Sequence, residues 1–263
     1  MHSTKIKLDL KKYKRFFAFG CSFTFYNWPT WADIISKEIP KSYNYGRPGA
    51  GNFYIFSSII EANKKHKFTE DDLIIVMWTA VDREDRYIEH NWKSSGCVYH
   101  SIDNFYDKNF IMKYVDQRGF YLRDITYVAA ITKMLEGLNY YFLSMMKFES
   151  SGESNTVGEA DTDISDFYKD ELKKILPSVL NTICNGNWIE QSKMKGKDKN
   201  GKLFRDLHPT PNYYLEYLNN IFDIEFSKET IMFVDEHEGA LNKLEFLDHN
   251  IYPYYARPYI ERL

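Results

Sequence analysis

Leu73-Ile74-Ile75-Val76-Met77-Trp78 is an unbroken apolar run that follows the acidic segment Glu70-Asp71-Asp72. A strand with one face in water alternates polar and apolar residues. One without alternation must be covered on both faces, as a central strand of a parallel sheet is by its crossover helices. That places the chain in the α/β class. A second run, Phe16-Phe17-Ala18-Phe19, obeys the same rule and closes at Gly20, followed by Cys21, Ser22, Phe23 and Thr24. Glycine and small hydroxyl residues after an apolar run predict a tight turn. Trp31, Ile34, Ile35 and Ile39 then share one side of a predicted helix, with Pro29 near its start. Strand, turn and helix set Ser22 at the carboxyl edge of the sheet, where sites of open α/β sheets gather beside unpaired helix N–H donors. Ser22 is therefore a candidate nucleophile. Alternation along the strand end turns Cys21 away from it, into the core. Read alone, Gly-Cys-Ser-Phe-Thr is equally a turn with an N-cap.

Further along, Tyr43-Asn44-Tyr45 reads as a short strand and Gly46-Arg47-Pro48-Gly49-Ala50-Gly51-Asn52 as a Gly-rich loop. The loop opens a helix facing the sheet through Ile55, Ile59, Ile60 and Ala62. Backbone N–H groups of such a loop suit an oxyanion, and neither the spacing nor the Lys of a phosphate-binding P-loop is present. After Trp78 the periodicity breaks down, and residues 84–120 read as an irregular insertion of the kind that forms lids. Helical spacing returns from Leu122 to Leu138, and Tyr140 to Met146 reads as a strand. Residues 149–163 are small, polar and acidic, which predicts a flexible excursion. A helix from Asp166 to Ile183 interrupted near Pro177, a charged loop over 193–202, and a last helix from about Asn212 to Phe226 follow. Thr230 to Val234 looks strand-like, and Tyr252, Tyr254, Tyr255 and Tyr259 make the end too apolar to hang free. The expected organisation is one domain over 1–263, with the insertion at 84–120, the excursion at 149–163 and a C-terminal extension at 227–263.

A formal net charge of -3 over 263 residues leaves no basic footprint, so no nucleic-acid partner is expected. The 3 cysteines, Cys21, Cys97 and Cys184, have neither metal spacing nor a pairing pattern, which predicts no metal and no disulfide. Without an apolar leader or a membrane-length run, the expected location is cytoplasmic or otherwise outside a classical secretory route, a virion-associated one included, and no membrane partner is expected. The oligomeric state is not legible. An aromatic fraction of 17% suits sugar faces, although in a chain also rich in Lys, Asn and Ile AT-rich coding accounts for it more simply.

Of the 7 histidines, His208 lies in a loop between predicted elements, held by Pro209 and Pro211 and preceded by Asp206. A serine hydroxyl needs a base to take its proton, and the base needs an acid that fixes its tautomer. Residues i and i+2 of an extended loop point the same way, so Asp206 suits that role beside His208. At this point the chain resembles the SGNH (GDSL-like) hydrolase superfamily over Phe16 to about Tyr217. Gly20-Cys21-Ser22-Phe23-Thr24 is similar to the block that carries the nucleophile. Pro48-Gly49-Ala50-Gly51-Asn52 is similar to the block whose glycine N–H enters the oxyanion hole, with Gly49 the better fit and Gly51 the second. Asp206-Leu207-His208-Pro209 is similar to the block of acid and base.

The resemblance implies a flavodoxin-like three-layer α/β/α fold with a parallel central sheet. It implies ester hydrolysis of acetyl groups on sugars or of lipid-like esters, with no cofactor. The same constellation serves an O-acyltransferase, and a decayed binding module keeps the fold without the chemistry. Two departures stand out. Where the family has Gly-x-Asn-Asp after the central strand this chain has Trp78-Thr79-Ala80-Val81-Asp82, leaving Thr79 as the hydroxyl for the oxyanion hole. Three residues before the histidine, where the family places its acid, stands Arg205. Loss of an oxyanion donor costs roughly 10²–10³-fold in rate, so a slow enzyme is expected. Asn52, Trp78, Arg83 and Arg47 are the candidate substrate contacts, the arginines for an anionic group.

Overall fold

The computed structural model describes residues 5–99, 106–148, 162–187, 195–197, 203–243 and 246–247. In chain order its strands and helices are β1 (Ile6–Lys7), β2 (Arg15–Phe19), α1 (Trp31–Ser36), β3 (Lys41–Asn44), α2 (Asn52–His66), β4 (Asp72–Trp78), β5 (Arg83–Ile88), β6 (Asn91–Cys97), α3 (Lys108–Tyr114), α4 (Gln117–Met134) and β7 (Asn139–Ser144). There follow α5 (Thr162–Phe167), α6 (Lys169–Leu172), α7 (Val179–Cys184), β8 (Lys195–Lys197), β9 (Leu203–Arg205), α8 (Pro211–Ile221), β10 (Phe222–Asp223), α9 (Lys228–Asn242) and β11 (Phe246–Leu247).

The central sheet has the order β3-β2-β4-β7 and is parallel throughout, with Phe16 opposite Leu73 and Ile75 opposite Tyr141. This is the doubly wound arrangement of a flavodoxin-like fold. The crossover from β2 to β3 runs outward and that from β3 to β4 runs back. With one hand of crossover, the two connecting helices must lie on opposite faces. Accordingly α1 packs with α8, which also meets α7 and α9, while α2 packs with α4. Between these layers every residue of β4 is buried, each apolar side chain contributing about 1.5–3 kcal/mol. Asp72, at the start of β4, is buried too. Arg15 of β2 grips it with Nε and one Nη, both at 2.6 Å, and donates further to the His66 and Lys67 carbonyls at the end of α2. Arg15 therefore belongs to the sheet's interior end, unlike the solvated Lys14 beside Asp71.

Several sequence expectations change. The stretch read as irregular after β4 begins with the antiparallel hairpin β5–β6, in which Tyr87 faces Trp92. Thr230–Val234 lies inside α9, not in a strand: Ser227 caps that helix by accepting the Thr230 N–H, and packing on α8 overrides the β-branched composition. The last predicted helix ends at Ile221, because Phe222–Asp223 turns into β10 and pairs with β1. The tyrosine-rich end and residues 149–161 of the expected excursion lie outside the described residues. Among the described residues, no helix is long and apolar enough to cross a membrane.

Candidate active site

β2 leaves the sheet at Gly20, where a side chain is impossible: a Cβ would stand 2.0 Å from Thr24 Oγ1 and 3.1 Å from the Met77 carbonyl. The Thr24 and Phe25 N–H groups both return to the Cys21 carbonyl, at 2.9 and 3.1 Å, so the turn is tight. Cys21 is buried with its Sγ 3.9 Å from Met145 Sδ, as alternation predicted. Ser22 faces the other way, 6% exposed, and its Oγ lies 2.8 Å from His208 Nε2. His208 Nδ1 is 2.8 Å from Asp206 Oδ1. A carboxylate only accepts, so Nδ1 carries the proton and Nε2 is left to accept from the serine.

Asp206 meets His208 by a route the sequence reading did not foresee. Its Oδ1 also accepts the main-chain N–H of His208 at 2.9 Å, an Asx turn in place of an extended i, i+2 pair. The turn folds the shortened spacing back on itself and brings acid to base. The following Pro209 carbonyl accepts the Trp28 indole N–H at 2.7 Å, and Pro211 opens α8 behind it. Burial pushes the Asp206 carboxyl up, but hydrogen bonds from His208 and Tyr26 outweigh it and hold the group below the usual carboxylate range. Tyr26, which the motif reading passed over, donates to Asp206 Oδ2 at 2.5 Å and stacks on His208 at a centroid distance of 3.7 Å. Its position four residues after Ser22 was visible in the sequence, but its partner loop was not.

On the other side of Ser22 lies the Gly-rich loop. Gly49 has φ 77, and a Cβ there would meet the Ser94 carbonyl of β6 at 3.3 Å, so conformation and crowding both require glycine. Among the described residues no acceptor meets the N–H of Gly49 or of Ser22. Gly51, the second candidate, is already engaged: its N–H donates to Asp85 Oδ1 at 2.9 Å, while Asp85 Oδ2 accepts the Tyr54 N–H and so caps α2. Burial pushes the Asp85 carboxyl up despite these bonds and one from Ser94.

The remaining candidates are placed differently from expectation. Thr79 is 1% exposed and its hydroxyl lies 3.9 Å from Met145 Sδ, so it has no open side from which to meet a substrate oxygen. Asn52 is fully buried and brackets Thr79, accepting its N–H at 2.9 Å and donating to its carbonyl at 3.1 Å, with a further bond to Asp124 at 2.7 Å. Burial pushes the Asp124 carboxyl up to about 7. Trp78 is fully buried against Phe142 and Phe148. Asn52 and Trp78 are thus parts of the core, not substrate contacts. Arg83 donates to the Ala50 carbonyl at 3.2 Å, and Arg47 to the Trp92 carbonyl at 2.7 Å. Both arginines fasten the Gly-rich loop to the hairpin region. Among the described residues, no group of three or more His, Cys, Asp and Glu is placed to hold a metal ion.

No protein-family model and no curated protein matches the chain. Solved structures similar to it include a member of the lipolytic protein G-D-S-L family from Veillonella parvula, 14% identical, with 78% of this chain and 94% of that one covered at a TM-score of 0.43. Another is Axe2, an acetylxylan esterase from Geobacillus stearothermophilus, 9% identical, with 83% and 98% covered at a TM-score of 0.42. A third is the acetyl xylan esterase Est2A from Butyrivibrio proteoclasticus, 13% identical, with 89% and 66% covered at 0.36.

Proposed function

We propose that the chain is a serine carboxylic ester hydrolase of the SGNH type, removing O-acetyl or similar small acyl groups from a glycan. The observation that carries this reading is the continuous relay from Ser22 Oγ through His208 to Asp206, with 2.8 Å at each step. Ser22 Oγ attacks the ester carbonyl carbon while its proton passes to His208 Nε2. Asp206 accepts from Nδ1–H, keeps the ring in the working tautomer and stabilises the imidazolium. The charge that develops on the carbonyl oxygen falls to the N–H groups of Ser22 and Gly49. Collapse of the tetrahedral intermediate breaks the C–O bond, and His208 returns its proton to the departing sugar hydroxyl. Water, deprotonated by the same ring, then hydrolyses the acyl-serine. With Thr79 turned into the core, two main-chain donors remain, which favours a slow enzyme.

The test is turnover of p-nitrophenyl acetate, then of a panel of acetylated polysaccharides, by the parent protein and by Ser22→Ala. Loss of the serine is expected to lower kcat about 10³-fold or more. Turnover that persists in Ser22→Ala overturns the mechanism. A folded parent protein that hydrolyses no ester leaves the binding-module reading, which the two-donor hole also favours.

A further inference from the structure

We propose that Tyr26 is a positioning residue that holds the Asp206–His208 pair in the orientation Ser22 needs, through its hydroxyl on one partner and its ring on the other. Asp206 accepts both of its bonds from His208 on one oxygen, Oδ1, at 2.8 and 2.9 Å. The second oxygen, Oδ2, receives nothing from the histidine loop, although the carboxylate is buried. Tyr26 supplies the donor for Oδ2 at 2.5 Å from a segment 180 residues away, so the carboxylate is anchored at both oxygens. The same ring lies nearly parallel to the imidazole, at 3.7 Å and 20°. Trp28 stands edge-on to Tyr26 at 4.6 Å and is tied by its indole N–H to the Pro209 carbonyl, so the segment after the nucleophile and the histidine loop lock each other. Phe23 borders His208 at 5.4 Å.

The need for such a device follows from the shortened acid spacing. An Asx turn orients Asp206 through its own backbone alone, and a donor from elsewhere in the fold adds the constraint that the local turn lacks. The titratable groups facing Asp206 are His208, Tyr26 and the fully buried Tyr214. Burial, with the charge of Asp206 added, raises the Tyr26 phenol well above its ordinary value, so it remains a neutral donor throughout the working pH range.

The kinetic side of this proposal rests on the esterase reading, whereas the spectroscopic side does not. Tyr26→Phe keeps the ring and removes the donor; Tyr26→Leu removes both. For Tyr26→Phe we expect kcat on p-nitrophenyl acetate to fall about tenfold with KM within about twofold, and for Tyr26→Leu about a hundredfold. The downfield His208 Nδ1–H proton resonance should shift in Tyr26→Phe, as Asp206 Oδ1 becomes the stronger acceptor. Parent values of kcat and N–H resonance in a folded Tyr26→Phe protein would overturn the proposal. If the parent has no Ser22-dependent turnover, the esterase reading fails by itself, and the N–H resonance alone decides for or against Tyr26.

Discussion

The two flanks of Ser22 are built on opposite plans. On the histidine flank the side chains bond to one another: Tyr26 to Asp206, Asp206 to His208, His208 to Ser22. On the glycine flank the side chains mostly hold backbone: Asp85 the Gly51 and Tyr54 N–H groups, Asn52 the main-chain N–H and carbonyl of Thr79, Arg47 and Arg83 the carbonyls of Trp92 and Ala50, with Ser94 and Asp124 bonded to Asp85 and Asn52 behind them. Under the proposed mechanism, the difference follows from what each flank would have to present. Proton transfer needs side chains that titrate, held in register. An oxyanion hole needs rigid main-chain N–H groups, and rigidity is obtained by committing the surrounding side chains to the backbone.

Asp206→Asn attacks the first plan and carries the largest expected effect. An amide facing Nδ1 favours the wrong tautomer, so kcat should fall roughly 10⁴-fold with KM little changed. The same variant bears on acid stability. The folded-state pKa of Asp206 lies below its ordinary value, so its stabilising contribution is present above about pH 4 and is lost as pH falls through the folded value. Thermal melts from pH 6 to 2 should therefore decline less steeply in Asp206→Asn than in the parent protein. An equally steep decline would place the acid sensitivity elsewhere.

Asp85→Ala attacks the second plan. It strands the Gly51 and Tyr54 N–H groups and the Ser94 hydroxyl around a buried vacancy, at an expected cost of about 3 kcal/mol in denaturant unfolding. A loss under 1 kcal/mol would mean that the hairpin and α2 do not depend on this carboxylate. The smallest effect is expected from Thr79→Val. Among the described residues its hydroxyl meets only a sulfur, at 3.9 Å, so kcat should stay within about twofold of the parent. A large fall in kcat at constant KM in a folded protein would return Thr79 to the oxyanion hole and erase the contrast between the flanks.

Misreadings fall where a residue's neighbours in sequence differ from its neighbours in space. Thr230–Val234 has strand-forming composition but lies in a helix, because a cap at Ser227 and the surface of α8 outweigh local propensity. Asn52 and Trp78 sit beside motif positions and read as contacts, yet both are sealed inside. Asp206 does stand beside His208, but through an Asx turn and not an extended loop, since the two use the same residue types.

What the amino-acid sequence determined by itself is whatever burial or backbone geometry writes locally. An apolar run without alternation can only be a strand covered on both faces, so β2 and β4 and the α/β class were legible, and with them the edge where Ser22 stands. Glycine at the turn after β2, and a histidine followed by Pro209 and Pro211, were legible for the same reason. Tertiary structure alone decided which groups complete the site. Tyr26 finds Asp206 across 180 residues, Asp85 finds Gly51 across 34, and Asn52 finds Asp124 across 72. No periodicity or local propensity encodes such pairs, because hydrogen bonds between distant segments form only where packing of the whole chain brings donor and acceptor together.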